Sequence, residues 1–143
     1  MKGSSSLLTL TKQGELFTHH KNESIPILNV EVRRLDSIFK KESLRSKKTM
    51  LKIDVQGFEL QVLNGFGDLI KEIPLIEIEI PIIDLYSGST LLPELLIYFR
   101  NLNFELCTIQ TERFSGFAAA DVDVLFIKSD IFKELTEERA LQK

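Results

Sequence analysis

One stretch constrains the fold more than any other: Leu51-Lys52-Ile53-Asp54-Val55-Gln56-Gly57-Phe58-Glu59-Leu60-Gln61-Val62-Leu63-Asn64-Gly65. The mostly apolar run from Thr49 to Val55 carries a single carboxylate, Asp54, and reads as a buried strand. Gly57 permits a tight turn, and Leu60, Leu63 and Phe66 then recur at helical spacing. A strand that turns directly into a helix is half of a βαβ unit. In open α/β sheets, ligands bind outside the carboxyl ends of such strands, where Asp54 lies.

The rest of the chain fits the same architecture. Leu75-Ile76-Glu77-Ile78-Glu79-Ile80 predicts a second strand, its β-branched content favouring strand over helix. Leu92, Leu95, Leu96, Phe99 and Leu102 form an apolar stripe on a third element, a helix with Pro93 in its first turn. Phe104 to Gln110 and Val122 to Ile127 predict two more strands, and Asp130 can cap a last helix over 131–141. The last two strands lack a helix between them, so they are expected to pair antiparallel, one of them at or near the sheet edge. Earlier in the chain, Leu7 to Thr11 predicts a short strand and Lys12-Gln13-Gly14 a turn. Leu28, Val30 and Val32 alternate as in a half-buried strand, and Leu35 to Phe39 begins a short helix capped by Asp36 or Ser37. Gly65 and Gly67 predict a break in the helix after Gly57. At 143 residues the chain is expected to form a single domain over 1–143, residues 1–48 forming an N-terminal segment of strand and helix.

Composition narrows the function classes. One cysteine, Cys107, rules out an intrachain disulfide and favours a reducing, cytoplasmic compartment. Cys107 is expected to be a buried structural thiol. No signal-peptide core follows Met1, and the apolar stretch Pro74 to Leu85 is broken by Glu77, Glu79 and Asp84, so no membrane role is expected. Charge is uneven: residues 1–50 carry 10 Lys+Arg against 5 Asp+Glu, and residues 51–143 carry 8 against 16. The basic excess between Arg33 and Lys48 has only Phe39 to stack on a base, so a solvated face is expected and nucleic acid is not the expected partner. His19 and His20 are adjacent with no carboxylate or Cys at ligand spacing, so no metal site is expected.

On topology, Asp54 and Glu79 are the candidate chemical residues, since adjacent parallel strands would bring both to one crevice. They read equally as a substrate-facing pair, or as a helix cap and a solvated strand end. Glu59, at a helix N-terminus, suits the helix macrodipole.

These residues also carry a resemblance. Leu51 to Glu59, with Val62-Leu63-Asn64-Gly65 behind it, resembles the "LKIDVEGxE…VLxG" signature of FkbM-type methyltransferases. Ser4-Ser5-Ser6-Leu7-Leu8, Val30 to Ile38 and Pro74 to Glu79 are similar to three further family stretches, in the family's order. The resemblance implies an α/β, partial Rossmann-like methyltransferase fold. Its sheet would be mostly parallel with an antiparallel strand near the C-terminal end, residues 49–143 forming the C-terminal half. It implies S-adenosylmethionine as cofactor and methyl transfer to a hydroxyl of a sugar or other small-molecule acceptor. Asp54 and Glu79 would face the acceptor, and Asp54 and Gln56 would border the cofactor. Gln56 stands where the family has Glu, which removes a charge. The Gly-rich turn and the acidic second strand of the family's cofactor site have no counterpart before Leu7. The chain is therefore expected to correspond to the C-terminal half to two thirds of such an enzyme. It is expected to bind cofactor weakly alone, and to form a homodimer or take a partner chain that completes its sheet. The alternative is a non-catalytic remnant or binding module of the same fold.

Overall fold

The computed structural model describes residues 5–21, 26–45, 49–111, 114–115 and 118–141. Four strands make the main sheet: β1 (Met50–Ile53), β2 (Leu75–Pro81), β3 (Phe104–Gln110) and β6 (Asp121–Lys128). They lie side by side in the order β1-β2-β6-β3. Two short strands, β4 (Phe114–Ser115) and β5 (Ala118–Ala119), pair separately. The helices are α1 (Lys12–Thr18), α2 (Lys41–Arg45), α3 (Glu59–Phe66), α4 (Leu92–Asn101) and α5 (Ser129–Leu141).

The expected mostly parallel sheet is corrected to a mixed one. Within it only β1 and β2 pair in parallel, whereas β6 pairs antiparallel with both β2 and β3. The cause is insertion of β6 between β2 and β3, so the alternating order of strands and helices does not become an order of parallel neighbours. The expected antiparallel pairing of the last two long strands is present, with β3 at the sheet edge.

Period-two alternation divides the sheet into two faces. Ile76, Ile78 and Ile80 of β2 and Val122, Val124 and Phe126 of β6 are buried on one face. That face packs on Leu63 and Phe66 of α3 and on Leu95 and Phe99 of α4. Phe99 is the aromatic hub, stacked on Phe126 at 4.0 Å between ring centres and edge-on to Phe104 at 5.6 Å. The opposite face carries Lys52, Glu77 and Asp123, where Lys52 bridges the two carboxylates. The helix break expected near Gly65 and Gly67 is present as a 3-10 turn over Gly67–Glu72.

Several expectations fail locally. Residues 12–14 begin α1 instead of a turn, because the Thr11 hydroxyl caps the helix by accepting from the Gly14 N–H at 2.9 Å. Leu10 forms an isolated bridge to Tyr86 rather than a strand. The segment around Leu28, Val30 and Val32 is exposed and pairs with no strand among the described residues. The helix expected from Leu35 shortens to a 3-10 turn, Leu35–Ser37, whose N-cap is Arg34. Cys107 is exposed rather than buried, since the β3–β6 register shifts between Leu106 and Thr108 and leaves Cys107 at the irregularity of an edge strand.

Candidate functional site

The parallel register sets the site. Ile53 pairs with Ile78, so the next step along both strands brings Asp54 beside Glu79 at their carboxyl ends. Gln56 joins them. Its Nε2 donates to Asp54 Oδ1 at 2.8 Å and to Glu79 Oε2 at 2.9 Å. Its Oε1 accepts from the Tyr86 hydroxyl at 3.3 Å. Asp54 is exposed, whereas Glu79 is buried, with 8% of its surface exposed. The three residues singled out from sequence are therefore brought into one hydrogen-bonded group.

A strained turn holds Gln56 in place. Gln56 has φ 54°, a left-handed conformation uncommon for a residue with a side chain, and Gly57 follows at φ 99°. A Cβ on Gly57 would lie 2.9 Å from the Ser89 Cβ and 3.2 Å from a Leu8 methyl, so only glycine fits. Ser6 Oγ donates to the Gln56 carbonyl at 2.7 Å and accepts from the Leu8 N–H at 3.0 Å. The N-terminal stretch thus serves as a strap over the turn.

Beneath the turn, Glu59 is 1% exposed. Its Oε1 accepts from the Gly57 N–H at 2.8 Å, and its Oε2 has no hydrogen-bond partner among the described residues. Burial pushes the Glu59 carboxyl above the usual carboxylate range, backbone N–H groups oppose the rise, and the charge of Asp54 adds to it. Glu59 opens α3, where its sequence position puts it beside the helix N-terminus, and its burial also makes it a brace for the turn. Glu59, Glu79, Gln56, Tyr86 and Asp121 line a cavity of about 10 Å³, room for roughly one water.

Sequence reasoning missed Tyr86 and the burial of Glu59. Tyr86 lies in an irregular loop with no periodicity to mark it, and Glu59 carried one signal, its position two residues after the glycine turn. His19 and His20 are both exposed. Among the described residues, no group of three or more His, Cys, Asp or Glu could hold a metal ion. Arg33, Arg34 and Lys41 of the basic stretch pair with Glu31, Asp36 and Glu72, and residues 46–48 lie outside the described residues. No helix among the described residues is long and apolar enough to cross a membrane.

Carboxylates presented at the carboxyl ends of two parallel strands give this α/β domain a candidate ligand site at the end of its sheet. The chain belongs to the FkbM methyltransferase family: the family model "Methyltransferase FkbM domain" matches residues 2–106 of its 143. No curated protein and no solved structure gives a match. Members of this family generally use S-adenosylmethionine. The described residues make an incomplete fit to that group. Asp54 borders a groove along β1. No strand pairs with the outer side of β1 among the described residues, so no neighbouring strand end is there to contact a ribose or a carboxylate.

Proposed function

We propose that the chain supplies the acceptor side of a methyl-transfer site, for S-adenosylmethionine-dependent methylation of a hydroxyl on a sugar or small metabolite. The observation that carries this reading is the joining of Asp54 and Glu79 through Gln56 at the strand ends. Methylation of a hydroxyl would exchange the donor's methyl–sulfur bond for an oxygen–carbon bond, the thioether leaving as S-adenosylhomocysteine, and requires the hydroxyl proton to pass to a base. In this reading Asp54, the exposed member, accepts that proton, while Gln56, itself held by buried Glu79, fixes its orientation. Asp54 and Gln56 are also the residues proposed to border the cofactor. A cytosolic location belongs to the same proposal, in keeping with a lone, exposed thiol at Cys107.

Calorimetric titration with S-adenosylmethionine and S-adenosylhomocysteine tests this reading, followed by detection of S-adenosylhomocysteine formed with hydroxyl acceptors. Micromolar binding and turnover lost in Asp54→Ala support it. Absence of binding at millimolar ligand rejects it for this chain acting alone. A second reading, a binding module without chemistry, draws on Gln56, whose neutral amide stands among the carboxylates. It predicts binding of a hydroxylated ligand with no turnover.

A further inference from the structure

Two surfaces lack a neighbour among the described residues, and they are complementary. The first is the outer edge of β1, the end of the sheet order. Beside it runs an apolar groove of about 430 Å³ lined by Leu35, Phe39, Leu44, Leu51 and Ile53. The second is the segment from Ile27 to Val32, with strand-like alternation but no strand pairing. There Ile27 is 94%, Leu28 79%, Val30 63% and Val32 68% exposed. An open sheet edge is a template for an added strand, and a cluster of exposed apolar residues marks a contact surface.

We propose that residues 27–32 of one copy add as a strand to the β1 edge of a second copy, making a reciprocal dimer. Charge fixes the register. Placing Glu31 opposite Lys52 brings Val30 and Val32 opposite Leu51 and Ile53, on the face where Ile53 is buried. This holds for either strand direction, because the pairing is symmetric about the central residue. Glu31 then lies on the opposite face with Lys52, which already bridges Glu77 and Asp123, so the new strand extends an alternation of charge. A one-residue slip would turn Val30 and Val32 onto the charged face, so the register is specified by both faces at once. Each copy carries one donor strand and one acceptor edge, and a two-fold arrangement satisfies both. Residues 27–32 and 50–53 do not include Asp54, Gln56 or Glu79, although Asp54 also lines the groove, so the added strand would lie next to the proposed site.

Light scattering on the purified chain is the first test, with a mass of twice 16.4 kDa expected. The double variant Val30→Asp, Val32→Asp halves the mass with the circular dichroism spectrum unchanged, since both side chains are exposed in the single copy. Glu31→Lys raises the dimer dissociation constant at least about tenfold, the factor given by about 1.4 kcal/mol. In a Cys107→Ser background, a mixture of Glu31→Cys and Lys52→Cys chains forms a disulfide-linked dimer on oxidation, and neither variant does so alone. A monomer at several hundred micromolar leaves the edge to another occupant and overturns the proposal. So does a dimer indifferent to the Asp substitutions, or an intrachain cross-link when both cysteines share one chain.

Discussion

Replacing Gln56 by Glu tests the organisation of the site with little else disturbed. The two side chains have the same length and face the same left-handed backbone at φ 54°, so the substitution changes charge and hydrogen-bond donors while leaving backbone strain common to both. The amide that donates at 2.8 and 2.9 Å becomes a third carboxylate between Asp54 and Glu79. Coulomb repulsion at this range is about 5–6 kcal/mol per pair at an effective dielectric constant near 20. Water around exposed Asp54 screens its share, so buried Glu79 dominates. The protein can avoid the repulsion by binding a proton, which bounds the cost. Holding a proton on a glutamate of ordinary pKa about 4.3 costs roughly 4 kcal/mol at pH 7 and about 1 kcal/mol at pH 5. The Gln56→Glu substitution therefore lowers stability by about 2–4 kcal/mol at pH 7 and by about 1 kcal/mol at pH 5. The sign follows from linkage: the folded variant holds more protons than the unfolded chain in this window, so its stability falls as pH rises. Urea unfolding of both proteins at pH 5, 6 and 7 reads the difference. A difference below about 0.5 kcal/mol and flat with pH would refute the view that the amide of Gln56 bridges the two carboxyl groups.

Other substitutions probe the supports of the site. Glu59→Gln should flatten the stability–pH profile above about pH 4.3, the ordinary glutamate value. The raised folded pKa of Glu59 means that native stability is lost as pH climbs from the unfolded pKa through the folded one, and the amide has no such loss. Its oxygen can still accept from Gly57, so Glu59→Gln should be at least as stable at pH 7, whereas Glu59→Ala, which orphans that N–H, should lose about 1–3 kcal/mol by thermal unfolding. Phe99→Ala should cost about 3–5 kcal/mol in chemical denaturation, because the ring is fully buried against Phe126 and Phe104. Gly14→Ala would place a Cβ 2.1 Å from the Leu85 carbonyl oxygen, so α1 should undock and its amides should lose protection in hydrogen exchange while those of β2 keep theirs.

The parts legible in the sequence are those where periodicity and burial coincide. Strands β1, β2 and β6 and helices α3 and α4 follow from apolar spacing, because each presents one face to the core around Phe99. The candidate pair Asp54 and Glu79 was legible because strand ends and the family resemblance pointed to the same residues, and the parallel register then brought them together. What the sequence hid depends on distant partners. Gly14 looked like a turn residue, yet it lies in α1 because the Leu85 carbonyl leaves no space for a side chain. Residues 27–32 carry a strand pattern that is real as a pattern but finds no neighbour among the described residues. Insertion of β6 between β2 and β3 is a long-range choice that local spacing does not encode. Tyr86 reaches Gln56 from an irregular loop, which no periodic signal marks.

The insertion of β6 also dictates when the domain can become stable during synthesis. β2 gains its second neighbour only when residues 121–128 have been made, and β3 has no partner in the main sheet until the same strand arrives. A growing chain that has passed Gln110 therefore exposes both Ile76–Ile80 and Phe104 along open edges until residues 121–128 have left the ribosome. The strand that closes the core is thus supplied after both of its neighbours, and its pairing with β2 spans a long sequence separation, which places the greatest risk of aggregation in the interval before β6 emerges.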